Sequence, residues 1–303
     1  MLYNNLSGYL RKKYGRRLKK ICIDGGFTCP NRDGKCGTGG CIYCGERGAG
    51  EHIDASHSIT EQVRAALDRA SDNELFIAYF QSFTNTYADI DTLRRRYDAA
   101  LIDDRIKVLS VGTRPDCIDE DVCALLAEYA KEREVWVELV LQTASDETAR
   151  IINRGYGRDV FERAVKLLCE YGIKTVVHMI IGLPGENTDD VMKTADYIAK
   201  FPIFGLKIHS IYVMAGTKLA EMYAQKLYTP PTLTEFLDGA AYTLARMPDD
   251  VVIHRLTGDC PSGMLIAPEW NTDKNAVIAA INARMRELGY TQGCLSHKKI
   301  EQE

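Results

Sequence analysis

The chain has 303 residues, with 38 Lys and Arg against 42 Asp and Glu, a formal net charge of −4 and 46% hydrophobic content. Such a composition is that of a soluble globular protein with enough chain for one large domain or two small ones, and it excludes a globally basic nucleic-acid-coating protein but not a local basic patch. No apolar run approaches the ~18 residues of a membrane span, and MLYNNLSGYLRKKYGRR lacks the apolar core and small-residue cleavage site of a secretory signal; the expectation is a cytoplasmic protein without membrane contact.

Residues 11–20, RKKYGRRLKK, carry seven cations (Arg11, Lys12, Lys13, Arg16, Arg17, Lys19 and Lys20) and no acid. The run reads as a phosphate-binding footprint with Tyr14 as a stacking ring, or as a solvated surface. Strands are predicted over 19–26, 74–81, 106–113, 134–142, 173–182 and 205–213, from short β-branched and aromatic runs. Amphipathic helical stretches separate them. One opens with a capping box, Ser58 with Glu61, and another places Val122, Leu125, Leu126 and Tyr129 on one face. Six strand-then-helix units predict a parallel sheet, arranged as an incomplete, six-unit β/α barrel whose site lies in the loops after the strands. The core is expected over 1–215. Residues 216–303 read as a C-terminal α/β extension, with a helix in TLTEFLDGAAYTLARM, a short strand VVIHRL and a last helix near 273–289.

Five of the ten cysteines, Cys22, Cys29, Cys36, Cys41 and Cys44, fall within 23 residues. A disulfide scaffold is a poor account of a cytosolic chain of this size. Cys169 reads as a small core residue, and Cys117, Cys123, Cys260 and Cys294 lack ligand-like spacing. In CPNRDGKCGTGGCIYCG, Cys41 and Cys44 form a CxxC and Cys29 stands twelve positions before Cys41. Three thiolates can hold three irons of a 4Fe-4S cube and leave the fourth iron open to chelate an amino acid, while the glycines let the backbone close around it. A Cys₄ zinc site with Cys36 is the alternative. A single CxxC, where zinc ribbons usually have two, ranks it second. A thioredoxin-like motif or a dinucleotide loop fits the spacing poorly.

The run IDGGFTCPNRDGKCGTGGCIYC, followed by AYFQSFTNTY, VGTRPDCI, VELVLQT, INRGY, HMIIGLPGE and LKIHSIYV, resembles the YhcC-like family of radical S-adenosylmethionine (SAM) enzymes, whose core is similar to those of the Elongator catalytic subunit and the tRNA methylthiotransferases. The resemblance implies Cys29, Cys41 and Cys44 as ligands of a 4Fe-4S cluster, with Cys36 a bystander. It implies S-adenosylmethionine bound by Tyr43 beside the adenine, by Gln81, Ser82 and Thr84 at the methionine amino group, and by Glu138 and Gln142 at the ribose. Arg154, with Arg114 as a second cation, would meet the carboxylate, and Gly182 and Gly185 would bring backbone to the adenine. His178, Lys207 and His209 are expected to point inward toward substrate. The implied reaction is reductive cleavage of S-adenosylmethionine, fed by an external donor of flavodoxin or ferredoxin type, to a 5′-deoxyadenosyl radical that abstracts hydrogen. With such relatives the basic run suggests tRNA as substrate. A small metabolite or protein substrate, and a non-catalytic iron–sulfur or zinc protein, are the competing readings.

Overall fold

In the computed structural model, which describes residues 2–51, 53–261 and 263–296, the chain forms nine strands: β1 (Leu18–Ile23), β2 (Leu75–Phe80), β3 (Ile106–Thr113), β4 (Glu134–Gln142), β5 (Lys174–Ile181), β6 (Gly205–Ser210), β7 (Val213–Met214), β8 (Val252–Arg255) and β9 (Leu265–Ala267). Ten α-helices join them: α1 (Leu6–Tyr14), α2 (Ile59–Leu67), α3 (Ile90–Ala100), α4 (Glu120–Ala130), α5 (Asp146–Ile151), α6 (Arg158–Glu170), α7 (Thr188–Ile198), α8 (Lys218–Ala224), α9 (Leu233–Arg246) and α10 (Lys274–Glu287).

One curled sheet runs β1-β2-β3-β4-β5-β6-β8, with every pair parallel. It is a half-barrel of seven strands, not the six expected, because VVIHRL pairs with β6 at the sheet's end after α9 has crossed back over α7. The strand expected over 205–213 stops at Ser210. Val213 and Met214 turn away and pair antiparallel with β9.

Alternation along the strands sorts the two faces. Ile21, Ile23, Phe80, Val111, Val137, Leu139, Val177, Met179, Leu206 and Ile208 point outward and join the helices in one core. The Ser58–Glu61 capping box forms as expected, and Val122, Leu125 and Leu126 are buried on the inner face of α4. Pointing inward at the N-terminal ends of the strands, Leu18, Ile77, Val108, Trp136 and Val176 form a separate apolar layer against Leu10 of α1. This helix therefore lies across the lower end of the lumen. Tyr9 meets Phe204 edge-on at 5.1 Å, and Trp136 packs on Phe204 at 5.7 Å and on His254 at 4.9 Å. Glu134 fastens it. The carboxylate accepts from Lys13 at 2.5 Å, Tyr9 at 2.6 Å, Tyr14 and Trp136 at 2.9 Å, and Lys174. Burial opposes its charge, but these bonds outweigh it and hold its pKa at about 2.

The basic run is thus not one phosphate-facing surface. Lys13 serves Glu134, Lys19 pairs with Glu74 at 2.6 Å, Arg16 donates to the Asn73 carbonyl, and Lys20 enters the lumen above the Tyr79 ring. All seven are exposed; among the described residues Arg11, Lys12 and Arg17 make no ion pair. The run also lies at the strands' N-terminal ends, opposite the cysteine loop, since strands of six to nine residues separate the two ends by ~20–30 Å.

Candidate functional site

The cysteine loop leaves the upper end of β1 and is tied down along its length. Asn31 donates to the Asn153 carbonyl at 2.5 Å, and Asn153 returns a hydrogen bond to the Gly40 carbonyl at 2.8 Å. Ile42 donates to Ile152 and accepts from Leu219, at 3.2 and 2.8 Å, so the residue after Cys41 is gripped between α5 and α8. Ile42 and Tyr43 pack on Ile152, Leu183, Ile211 and Leu219. Gln81 donates to the Ala49 carbonyl at 2.6 Å, and Arg32 reaches the carbonyls of Gly45 and Glu46.

Cys29, Cys41 and Cys44 are all partly accessible within this frame. Cys44 hydrogen-bonds Cys41, the largest of the influences that hold the Cys41 thiol below its ordinary pKa; Asn31, Tyr43 and Arg114 act in the same direction, against burial. Cys29 acts electrostatically on Cys44. Among the described residues no three His, Cys, Asp or Glu side chains form a cage for a single metal ion. Three loop-borne thiols, two of them hydrogen-bonded to each other, match in number the protein ligands of a four-iron cluster with one open iron. Cys36 is exposed and turned toward Asp116, 3.7 Å away.

Around this loop, polar atoms are buried without partners: Tyr43 OH, Ser82 Oγ, Gln142 Oε1 and Asn31 Oδ1. Leaving such groups unmatched is costly, and these four at the rim fit a polar cofactor. Three of the four non-glycine residues with positive φ, Phe83, Gln142 and Asn153, are at or beside Ser82, Gln142 and Arg154, so backbone strain gathers there too. Gly50 approaches Ser82 so closely that a Cβ would lie 2.0 Å from its Oγ; Gly182, at φ +97°, would drive a Cβ to 2.5 Å from Pro231. Gly185 also holds a positive φ of 83°.

The remaining expected residues divide. Thr84 is buried, and its amide donates to the Thr28 carbonyl at 3.2 Å; with Gln81 it ties β2 to the loop, leaving Ser82 as the group with an unused polar atom. Arg154 is wholly buried and donates to the carbonyls of Leu141, Thr143 and Tyr156 at 2.6, 2.8 and 3.0 Å. The guanidinium expected to meet a carboxylate ligand lies under the rim, clamped on these carbonyls. Arg114 is likewise engaged, by Asp116 at 2.6 and 2.8 Å and by the Arg154 carbonyl at 3.0 Å. Glu138 does not form a rim pair with Gln142. It sits fully buried in mid-lumen, accepting from Ser110 at 2.8 Å, His178 at 2.9 Å and Lys207. Inward orientation of His178, Lys207 and His209 is as expected, with the two imidazoles 5.2 Å apart.

Sequence reasoning passed over Asn31 and Asn153, which lie in CPNRDGKC and INRGY and chain the loop to the end of α5. It also passed over Glu186, the carboxylate that closes GLPGE. Burial raises the Glu186 pKa to about 7, and Thr143 donates to it beneath the rim.

A half-barrel of parallel strands with a three-cysteine loop at its C-terminal rim defines a class, and comparison with known proteins agrees. Residues 32–198 match the radical SAM superfamily and residues 203–287 the Radical_SAM C-terminal domain. The chain belongs to the radical SAM superfamily and, within it, to the YhcC-like family. It is 34% identical over 305 residues to the uncharacterized protein YtqA of Bacillus subtilis, covering 99% of this chain and 94% of that one. Identity to protein YhcC of Escherichia coli K12 is 32% over 289 residues, or 95% and 94% of the two chains. A tRNA uridine(34) acetyltransferase of Methanocaldococcus jannaschii is 29% identical over 166 residues, 54% of this chain and 30% of that protein. The fold matches that of Methanocaldococcus infernus Elp3 lacking its N-terminus, at 18% identity and a TM-score of 0.70, covering 91% of this chain and 64% of that one. Among the described residues no helix is long and apolar enough to cross a membrane.

Proposed function

We propose that the chain is a radical SAM enzyme in which Cys29, Cys41 and Cys44 hold a 4Fe-4S cluster and the rim binds S-adenosylmethionine, with tRNA as substrate. When bound and reduced by an external one-electron donor, the cluster supplies the electron for reductive cleavage of S-adenosylmethionine, the general reaction of this superfamily, giving methionine and a 5′-deoxyadenosyl radical that abstracts hydrogen. The observation that carries the reading is the set of partnerless buried groups, Tyr43 OH, Ser82 Oγ and Gln142 Oε1, around a three-thiol loop. Tyr43, packed against the cluster that includes Ile152 and Leu183, offers an adenine a ring and a hydroxyl. Ser82 and Gln142 offer hydrogen bonds to the amino acid and ribose portions. Arg154 and Arg114 hold the ends of β4 and β3 in place, so they act by positioning. Enclosure of the upper lumen keeps water and competing hydrogen donors from the reacting centre.

The tRNA assignment rests on the partial likeness to tRNA uridine(34) acetyltransferases and on the exposed cations Arg11, Lys12 and Arg17. From the lower end of the barrel these would grip phosphates ~20–30 Å from the reacting nucleotide, a span that a structured RNA bridges. The test has two arms. Anaerobically reconstituted protein should form 5′-deoxyadenosine under dithionite. Mass spectrometry of tRNA nucleosides from a deletion strain should show one modified nucleoside lost or replaced by its precursor. No 5′-deoxyadenosine would refute the enzyme reading; unchanged nucleosides would refute tRNA as substrate.

A further inference from the structure

The middle of the lumen holds more positive charge than the chain neutralises. Lys20 on β1, Lys207 on β6 and Arg255 on β8 project into it, and among the described residues Glu138 is the one carboxylate that acts on both lysines. Lys207 is 2% exposed, hydrogen-bonds Glu138, and lies 3.3 Å from the Tyr79 hydroxyl and 4.4 Å from that ring's centroid. Ser110 and His178 also donate to Glu138. Among the described residues Lys20 and Arg255 make no ion pair or hydrogen bond; Lys20 only overlies the Tyr79 ring at 5.4 Å. His209 adds a buried Nε2 without a partner. Three cations face one carboxylate, with Lys207 buried, Arg255 half-buried and Lys20 exposed, so the lumen is short of negative charge and an anion can reach it from the open side. Burial, aided by Lys20 and Arg255, pulls the Lys207 pKa down to about 7 against the attraction of Glu138, the mark of that excess.

Position narrows the ligand. β1 and β8 are the two edges of the sheet, so Lys20 and Arg255 stand on opposite sides of the gap in the half-barrel, and each lies within electrostatic reach of the other. The layer lies below the rim, with Glu138 four residues before Gln142 on β4, ~13 Å along the strand. An anion held here is too deep to be the S-adenosylmethionine carboxylate, and α1 closes the lumen beneath it.

We propose that this layer recognises an anionic group of the substrate, a carboxylate or a phosphate, held between Lys20, Lys207 and Arg255 with His209 Nε2 as an adjoining hydrogen-bonding group. The anion anchors one end of the substrate and presents the part above it to the rim; this deepens, and rests on, the radical SAM reading. Glu138 fixes the Lys207 ammonium and the His178 ring, so it is a positioning residue.

The test is anaerobic calorimetry on the reconstituted full-length protein, titrated separately with succinate and inorganic phosphate against chloride at equal ionic strength. Wild type should bind at least one of the two anions. Arg255→Gln and Lys20→Gln, each checked for cluster content and circular dichroism, should weaken that binding at least tenfold, with Arg255→Lys intermediate. Succinate without phosphate identifies a carboxylate, and the converse a phosphate. Equal affinity in wild type and both Gln variants, or no binding of either anion by wild type, overturns the proposal. Measuring 5′-deoxyadenosine from the same wild-type preparation separates the two readings. Cleavage without anion binding removes the lumen site alone. Anion binding without cleavage removes the radical reading alone.

Discussion

Glu134→Gln is a direct test of how the lumen's floor is held. The substitution keeps the shape and removes the charge that Lys13, Lys174, Tyr9, Tyr14 and Trp136 surround. A fall in pKa from 4.5 to about 2 corresponds to about 3 kcal/mol of stability at neutral pH. Lys13 and Lys174 are 43% and 34% exposed, so solvent screening brings the expected loss to about 2 kcal/mol. The folded-state pKa is depressed, so this contribution is complete above pH 4.5 and disappears as pH falls through about 2. The variant's deficit should therefore be largest at pH 7 and roughly halve by pH 3. Urea unfolding followed by tryptophan fluorescence suits the measurement, because Trp136 donates to Glu134 and is one of only two tryptophans. A deficit that is the same at pH 7 and pH 3 would show that the carboxylate's charge is not what holds α1.

Four further outcomes follow from the site. The Cys29→Ala, Cys41→Ala, Cys44→Ala triple variant should lose the EPR signal and iron of a reconstituted cluster, whereas Cys36→Ala, altering an exposed thiol beside Asp116, should keep both. Ser82→Ala removes a buried hydroxyl that lacks a partner, so melting temperature should hold or rise slightly, while S-adenosylmethionine binds about tenfold more weakly by calorimetry. Arg154→Met strands three buried carbonyls and should cost on the order of 3 kcal/mol or more in urea unfolding; a normal unfolding curve with reduced cofactor affinity would restore the carboxylate role. Replacing Arg11, Lys12 and Arg17 together by Gln should lower the log–log salt slope of tRNA binding by roughly 0.7–0.9 for each phosphate no longer neutralised, and an unchanged slope in filter binding would remove these cations from the interface.

The sheet was legible because its strands are buried on both faces: near-continuous β-branched runs set β3 and β4 to the residue, and β2 and β5 within one at each end. The seventh strand was readable as VVIHRL, but pairing partners are a tertiary fact, and its distance from β6 in the chain disguised its membership of the same sheet. The cysteine loop stood out in the sequence because spacing constrains ligand chemistry. The burial of Arg154 was not legible. An arginine that grips a ligand and one that grips carbonyls look alike in sequence, and only its complete burial separates them. The basic run misled for a related reason: charge counts do not reveal that one lysine serves Glu134 and another turns into the lumen.

The way α1 closes the barrel has a bearing on how the chain assembles as it is made. Asn4, just ahead of that helix, accepts a hydrogen bond from the amide of Ile253 at 2.8 Å, and the Asn4 amide donates to Gln292 at 2.8 Å. Asn4 is therefore stitched to residues made about 250 to 290 positions after it. At about 5–20 residues per second, the seam cannot be sewn until roughly 10–50 s after Asn4 is made. Throughout that interval the nascent half-barrel lacks its final edge strand, and Trp136 and its apolar neighbours lie unsealed beneath the lumen for as long as α1 has no fixed berth.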